Sequence, residues 1–275
     1  MHKRTKLYVG IGAICLVIVA FGVYAYRFLQ GDSNKATSKT TVAASQSQAV
    51  KSTVQVKLPG AKPIDALVED YNLPTSTWVV VSKDYPLSEQ QYYPSDLELT
   101  ALPARSDKSI PEKSVRKVIV PALTAFFTDA KAAGNDIMIA SGFRSYDLQQ
   151  TYFTSYSKSY GVEAANKFSA RPGQSEHQTG LALDIAYQNR DCYLDICFGQ
   201  KAAGLWLAAN AYKYGFVLRY PADKTAITKY QYEPWHFRYV GKPLAGALHE
   251  SGLTLDEARP YLQSALTELK AQHKV

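Results

Sequence analysis

The chain has 275 residues, 46% of them hydrophobic, which suits one sizeable domain with attachments and excludes both a disulfide-stapled mini-protein and a wholly disordered chain. Three cysteines are too few for a cysteine-rich zinc scaffold, and a formal net charge of +7 points to nucleic acid or a membrane as a partner, depending on where the bases sit.

Residues 7–26 form an apolar run without an acid or a base, about the twenty residues a helix needs to cross a bilayer core. Lys3, Arg4 and Lys6 precede it and only Arg27 follows closely. That bias predicts a cytoplasmic N-terminus at 1–6, a transmembrane anchor at 7–26 and export of everything beyond. The run is longer than the apolar core of a usual signal peptide and no A-x-A-like site follows it, so an uncleaved anchor is expected. Ile14 stands where a lipid-modified cysteine needs a small neighbour, so Cys15 reads as an ordinary apolar residue. Residues 1–30 hold four bases and no acid, which leaves 27 bases against 24 acids in the rest. Most of the charge is therefore a topology signal, and the membrane, not nucleic acid, is the expected partner.

Residues 27–56 are rich in Ser, Thr, Ala, Gln and Lys and lack apolar periodicity, which predicts a flexible extracellular linker. The remainder, 57–275, is the size of one domain. Within it the β-branched run at 78–81 predicts a strand. Apolar positions at Val115, Val118, Leu123, Phe126 and Phe127 predict a helix over 114–133, with Pro121 marking a kink or a late start. Residues 137–140 read as a buried strand, and 146–168 and 201–214 as helices, the second stopped by Gly215. Residues 181–185 and 235–240 alternate as strands do. Thr254-Leu255-Asp256-Glu257 resembles a capping box opening a last helix, although Pro260 stands inside it. Helices and short strands mix without βαβ regularity, so the expected class is α+β, a compact domain with a small antiparallel sheet flanked by helices.

An exported enzyme has no supply of ATP or NADH, which points to hydrolysis. No G-x-S-x-G elbow, P-loop or H-E-x-x-H helix is present. Two segments, 175–184 and 233–236, instead hold two imidazoles, of His177 and His236, with the carboxylates of Asp184 and Glu233 among their acids. His177, Asp184 and His236 would make a three-ligand zinc site with an open fourth position, and Glu233 would be the base that takes a proton from an attacking water. In a strand, Leu181, Leu183 and Ile185 would pack inward while Ala182 and Asp184 face the other side, and Gly180 would allow the turn that returns His177 to Asp184. In an ideal strand Glu233 and His236 lie on opposite faces, so Pro234 is expected to supply a bend. Spacing alone leaves an alternative open, in which a histidine beside an aspartate is a hydrogen-bonded core pair.

The residues around these positions narrow the choice. Ser175, His177, Gly180, Ala182 and Asp184, with Glu233-Pro234-Trp235-His236, resemble the two metal motifs of the peptidoglycan zinc metallopeptidases that include the vancomycin-resistance D,D-carboxypeptidases. Ser141-Gly142-Phe143-Arg144-Ser145 followed by Gln149 is similar to that family's substrate-binding stretch, and the likeness runs from about Trp78 to Gly241. The resemblance implies one Zn²⁺ held by His177, Asp184 and His236, with Glu233 as general base. It further implies that Arg144 binds the substrate carboxylate or the oxyanion, and that Gln149 and Ser175 hydrogen-bond the peptide. For Gln149 a solvated helix position is the alternative. Lys229 departs from the pattern, since glycine is expected there, which puts the loop carrying Tyr230 in question.

The implied activity is removal of the terminal D-alanine from peptidoglycan stem peptides at the outer membrane face, by a chain expected to be monomeric. The alternatives are an L,D-carboxypeptidase acting on tetrapeptide stems or an endopeptidase cutting inside the stem and, in a different class, a non-catalytic zinc-stabilised wall-binding module. Cys192 and Cys197 are the only cysteines beyond the anchor, and outside the cell such a pair suggests a disulfide over a thiolate metal pair. His249 and His273 read as surface residues.

Overall fold

Residues 54–275 are described by the structure, a computed structural model. The expected N-terminus 1–6, the anchor 7–26 and nearly all of the linker 27–56 lie outside them, and no helix among the described residues is long and apolar enough to cross a membrane. In chain order the elements are β1 (Gln55–Val56), β2 (Ile64–Asp65), β3 (Leu97–Leu99), β4 (Ser114–Arg116), α1 (Val120–Ala132), β5 (Ile137–Ser141), α2 (Tyr146–Tyr160), α3 (Val162–Phe168), β6 (Ala182–Tyr187), α4 (Ala202–Asn210), β7 (Phe216–Leu218), α5 (Thr225–Thr228), β8 (His236–Tyr239), α6 (Lys242–Ser251) and α7 (Leu255–Ala271). The fold is mixed α+β, with small antiparallel sheets among helices.

The principal sheet runs β5-β6-β8-β7, every pair antiparallel. Period-two alternation assigns its faces. Leu181, Leu183, Ile185 and Phe237 point into a core closed by Leu123, Phe126 and Phe127 of α1 and by Leu207 of α4. Asp184, His236 and Arg238 stand on the other face, also buried. Between β5 and β6 the register slips, because Ile139 pairs with Ile185 and Ser141 with Asp184. One extra residue on β5 makes this a bulge, a device that bends the end of a strand and re-aims the loop beyond it. A second core joins α6 and α7 to Val54, Val56, Leu58, Tyr71 and Trp78.

Three expected elements differ. The run at 78–81 is buried but not a strand. Two of its carbonyls are taken by arginine side chains, Val79 O by Arg238 Nη2 at 2.8 Å and Val81 O by Arg219 Nη2 at 3.4 Å, and Arg238 Nη2 also reaches Thr77 O just before the run at 3.1 Å, which replaces the ladder a strand would need. The helix expected over 114–133 begins only at Val120, after β4 and a 3-10 turn, because Pro121 lacks an N–H and fits the first helical turn. The helix expected over 146–168 is split at Gly161, whose φ of 83° no helix can contain. The capping box forms as expected, with Thr254 accepting from the Glu257 N–H, and α7 continues through Pro260.

Candidate metal centre

The site is built where β6 and β8 begin. A 3-10 turn, Glu176–Thr179, precedes β6 and ends at Gly180 in the left-handed region, φ 68°. A Cβ at Gly180 would crowd the Arg116 side chain at 2.8 Å, so glycine is needed both for the turn and for the close approach. The turn brings His177 back over the sheet, where its Nδ1 lies 2.7 Å from the Gly142 carbonyl oxygen. That contact assigns the proton to Nδ1 and leaves Nε2 with its lone pair directed at Asp184 Oδ2, 3.3 Å away.

The segment expected to bend at Pro234 is instead a turn, closed by the His236 N–H donating to the Glu233 carbonyl at 3.1 Å. This turn, not a bent strand, sets Glu233 beside His236, with Glu233 Oε2 at 3.8 Å from His236 Nδ1. His236 is held from behind, its Nε2 lying 3.4 Å from Glu176 Oε2. Its Nδ1 therefore faces Asp184 Oδ1, also at 3.4 Å. One ligand atom from each of His177, Asp184 and His236 lies within 4.8 Å of the other two, and all three side chains are buried.

Whether these residues suit a metal is decided by Asp184. Its Oδ1 is buried without a hydrogen-bond partner, a costly state for a carboxylate unless a cation takes up the free lone pair. The donor set of two imidazoles and a carboxylate, with both rings pre-oriented by bonds to their far nitrogens, fits a zinc ion with one open position.

The charges around the cluster are arranged by burial. Burial works to raise the Asp184 carboxyl, but His177 and His236 beside it hold it far below the usual carboxylate range. Burial lowers His177, and Arg144 lowers it further. Glu233 goes the other way. Burial pushes its carboxyl up to about 8, Asp184 adding to the shift while His236, Arg144 and Lys83 oppose it. A divalent cation in the cluster would pull it back toward the range in which a carboxylate accepts a proton.

Arg144 enters from the loop after the β5 bulge. Its Nη1 donates to Gln149 Oε1 at 2.9 Å, and its Nη2 donates to Ser141 Oγ at 3.1 Å and lies 3.5 Å from Asp184 Oδ2. Arg144 and Ser175 line a cleft of about 220 Å³ over the cluster. Gln149 does not line it. It is fully buried behind Arg144, with its amide nitrogen donating to the Ala170 carbonyl at 2.7 Å, so the solvated alternative is set aside. Cys192 and Cys197 are disulfide-bonded, and Leu194 between them lines the cleft.

Sequence reasoning missed a buried support. Glu176 Oε1 accepts from Arg219 Nε at 2.7 Å and Arg238 Nη1 at 2.9 Å, while Arg219 also pairs with Asp256 of α7. Through Glu176 the position of His236 is tied to both arginines, and through them to the 77–81 segment and to α7. A signal existed, since alternation puts Arg238 on the same buried strand face as His236, where a lone charge demands a partner.

Lys229 also finds its reason. It caps α5 at φ 62°, the conformation for which glycine is expected, and its ammonium pairs with Asp84 at 2.6 Å.

Known proteins resemble this chain in sequence and fold. Residues 112–242 match the VanY family, D-alanyl-D-alanine carboxypeptidase. The putative carboxypeptidase YodJ of Bacillus subtilis (strain 168) is 42% identical over 196 residues, 71% of this chain and 71% of that protein. The chain belongs to the VanY family of D-alanyl-D-alanine carboxypeptidases. Among solved structures, that of the LdcB LD-carboxypeptidase is 41% identical with a TM-score of 0.64, covering 68% of this chain and 87% of that one. A mutant of the vancomycin resistance D,D-pentapeptidase VanY in complex with Zn(II) is 32% identical with a TM-score of 0.53, covering 66% and 98%. The expected metal-site and substrate-site residues of this VanY-family chain, from Arg144 to His236, all fall within the matched segment, as does the disulfide loop between Cys192 and Cys197.

Proposed function

We propose that the chain is a zinc-dependent D-alanyl-D-alanine carboxypeptidase that hydrolyses the terminal D-alanine from peptidoglycan stem peptides outside the cell. The observation that carries this reading is the unpartnered Asp184 Oδ1 inside a His177-Asp184-His236 cluster with Glu233 beside it. His177 Nε2, an Asp184 oxygen and His236 Nδ1 would hold the ion. Zinc bound there supplies Lewis acidity, polarising a carbonyl and lowering the pKa of water toward about 7. Glu233 accepts a proton from the attacking water and returns it to the amine that leaves when the C–N bond breaks. Arg144, whose Nε is buried without a partner, has a donor to spare for the substrate's carboxylate or for the oxygen that gains charge during attack. Gln149 acts by holding Arg144 in place, and Ser175 by its position in the cleft wall.

The glutamate argues for catalysis over a wall-binding module, because a structural zinc site closes with a fourth protein ligand and has no use for a free carboxylate. The apolar run 7–26 would anchor the enzyme with its basic end inside, and the linker expected at 27–56 would tether the domain near the outer face, ending sooner than expected because Val54 and Val56 are buried in the second core and Gln55–Val56 is β1. The likeness to an LD-carboxypeptidase favours a second reading, cleavage of tetrapeptide stems. Incubating the purified chain with tetrapeptide and pentapeptide muropeptides, followed by mass spectrometry, separates the two. Loss of D-alanine from the pentapeptide supports the first, from the tetrapeptide alone the second, and loss from neither sinks the carboxypeptidase assignment.

A further inference from the structure

We propose that the Tyr230 hydroxyl is a substrate-binding donor of the cleft, one that hydrogen-bonds a carbonyl or carboxylate oxygen of the bound stem peptide. The inference rests on the carboxypeptidase reading above. Tyr230 lines the same cleft as Arg144, Glu233 and His236, and it is only 3% exposed. Its hydroxyl oxygen is buried and has no hydrogen-bond partner.

The ring is packed against its neighbours. The Lys83 ammonium sits 3.9 Å from the ring centroid, and the Tyr220 ring packs against it, tilted, with the centroids 4.4 Å apart. Lys83 is itself fixed, donating to the Lys229 carbonyl at 2.6 Å and to the Asn166 carbonyl. The Tyr230 backbone is bound to Thr228, its N–H lying 3.4 Å from Oγ1. Every one of these contacts uses the ring or the main chain. A phenylalanine would serve them all, so the packing gives no reason for the oxygen.

A hydroxyl taken from water without an acceptor destabilises the folded chain, and a ligand that brings the acceptor recovers that loss only when bound. Glu233 is near enough to act on Tyr230 electrostatically, yet no hydrogen bond joins them. Burial, with Glu233 adding to it, holds the phenol far above its usual range, so the group remains a donor at any pH the enzyme would meet. The stem peptide offers amide carbonyls and carboxylates as strong acceptors, and the proposal assigns one of these oxygens to Tyr230.

The test is Tyr230→Phe, compared with the wild-type chain for zinc content, thermal unfolding without substrate, and kcat and KM for D-alanine release from a muropeptide. Zinc content should be unchanged and Tm should not fall, because an unpartnered buried oxygen has been removed. The value of kcat/KM should fall about tenfold or more, as a site that hydrogen-bonds its substrate loses that contact. A kcat/KM within about twofold of wild type overturns the inference. So does a fall in Tm that accompanies the loss of activity, since the hydroxyl would then have a structural partner. If the wild-type chain itself releases no D-alanine from any stem peptide, the carboxypeptidase reading falls first, a result that the variant does not influence.

Discussion

Asp184 and His236 are direct partners across the β6–β8 pair, with Asp184 Oδ1 3.4 Å from His236 Nδ1. Two ligand candidates that lie far apart in the chain are thus placed by sheet register, and a slip of one residue would turn either to the opposite face. His177 reaches the same point from a turn, and Glu176 fixes His236 from behind.

Glu176 is the residue on which this arrangement leans most heavily. Glu176→Gln leaves Arg219 and Arg238 buried without their shared anion, and breaking such a buried pair costs about 3–5 kcal/mol. The variant should unfold at markedly lower denaturant concentration, and zinc affinity should drop about 10- to 100-fold because His236 loses its orienting partner. Denaturant titration and a competitive chelator assay measure the two effects, and a variant with wild-type values in both would show that Glu176 supports nothing.

Glu233 should separate metal binding from turnover. Glu233→Gln keeps the size of the side chain and leaves His177, Asp184 and His236 intact, so zinc should still bind at one ion per chain. D-alanine release should fall about 10²- to 10⁴-fold, the usual loss when a general base is removed. Near wild-type turnover would remove Glu233 from the proposed role.

Gly142 is a steric requirement. Its carbonyl receives the His177 ring proton, and a Cβ added there would run into the carbonyl oxygen of Ser114. Gly142→Ala should destabilise the protein by about 1–3 kcal/mol, as overpacking of a filled site does. It should also weaken zinc binding, since the carbonyl that sets the His177 tautomer must move. Calorimetry and metal titration on the same sample test whether the two losses occur together.

Glu112 links the loop beneath Gly142 to pH. Burial alone would raise its carboxyl, but hydrogen bonds from Lys108, Tyr152 and Ser109 outweigh burial and carry it down to about 2, from an ordinary value of 4.5. A folded-state value below the unfolded one stabilises the fold above the unfolded value and loses that contribution as pH falls through the folded one. Stability should therefore decline between about pH 5 and pH 2, by about 1–3 kcal/mol from this group. Glu112→Gln should flatten that decline in a series of urea melts, and an unchanged slope would assign the acid sensitivity elsewhere.

Much of the site was legible in the sequence because its chemistry is carried by residue type and short spacing. His177, Gly180 and Asp184 lie within one turn and one strand, and Glu233 with His236 within one four-residue turn, so spacing offered them as candidates and the likeness to the family's two metal motifs singled them out. The capping box at Thr254 and the late helix start at Pro121 were readable for the same reason, each resting on hydrogen bonds or steric limits within a few residues. What the sequence could not decide are the partners brought from far away. The β-branched run at 78–81 has strand propensity, yet its carbonyls are met by Arg238, about 160 residues later, and coil results. Gln149 could have faced solvent or substrate, and tertiary packing put it behind Arg144. Glu176 is only a flanking residue until Arg219 and Arg238 converge on it. Residue type and local spacing determine which groups can carry the chemistry. Which charges pair, which faces are buried and which hydroxyl is left without a partner depend on contacts between distant segments, and these exist only once the chain is folded.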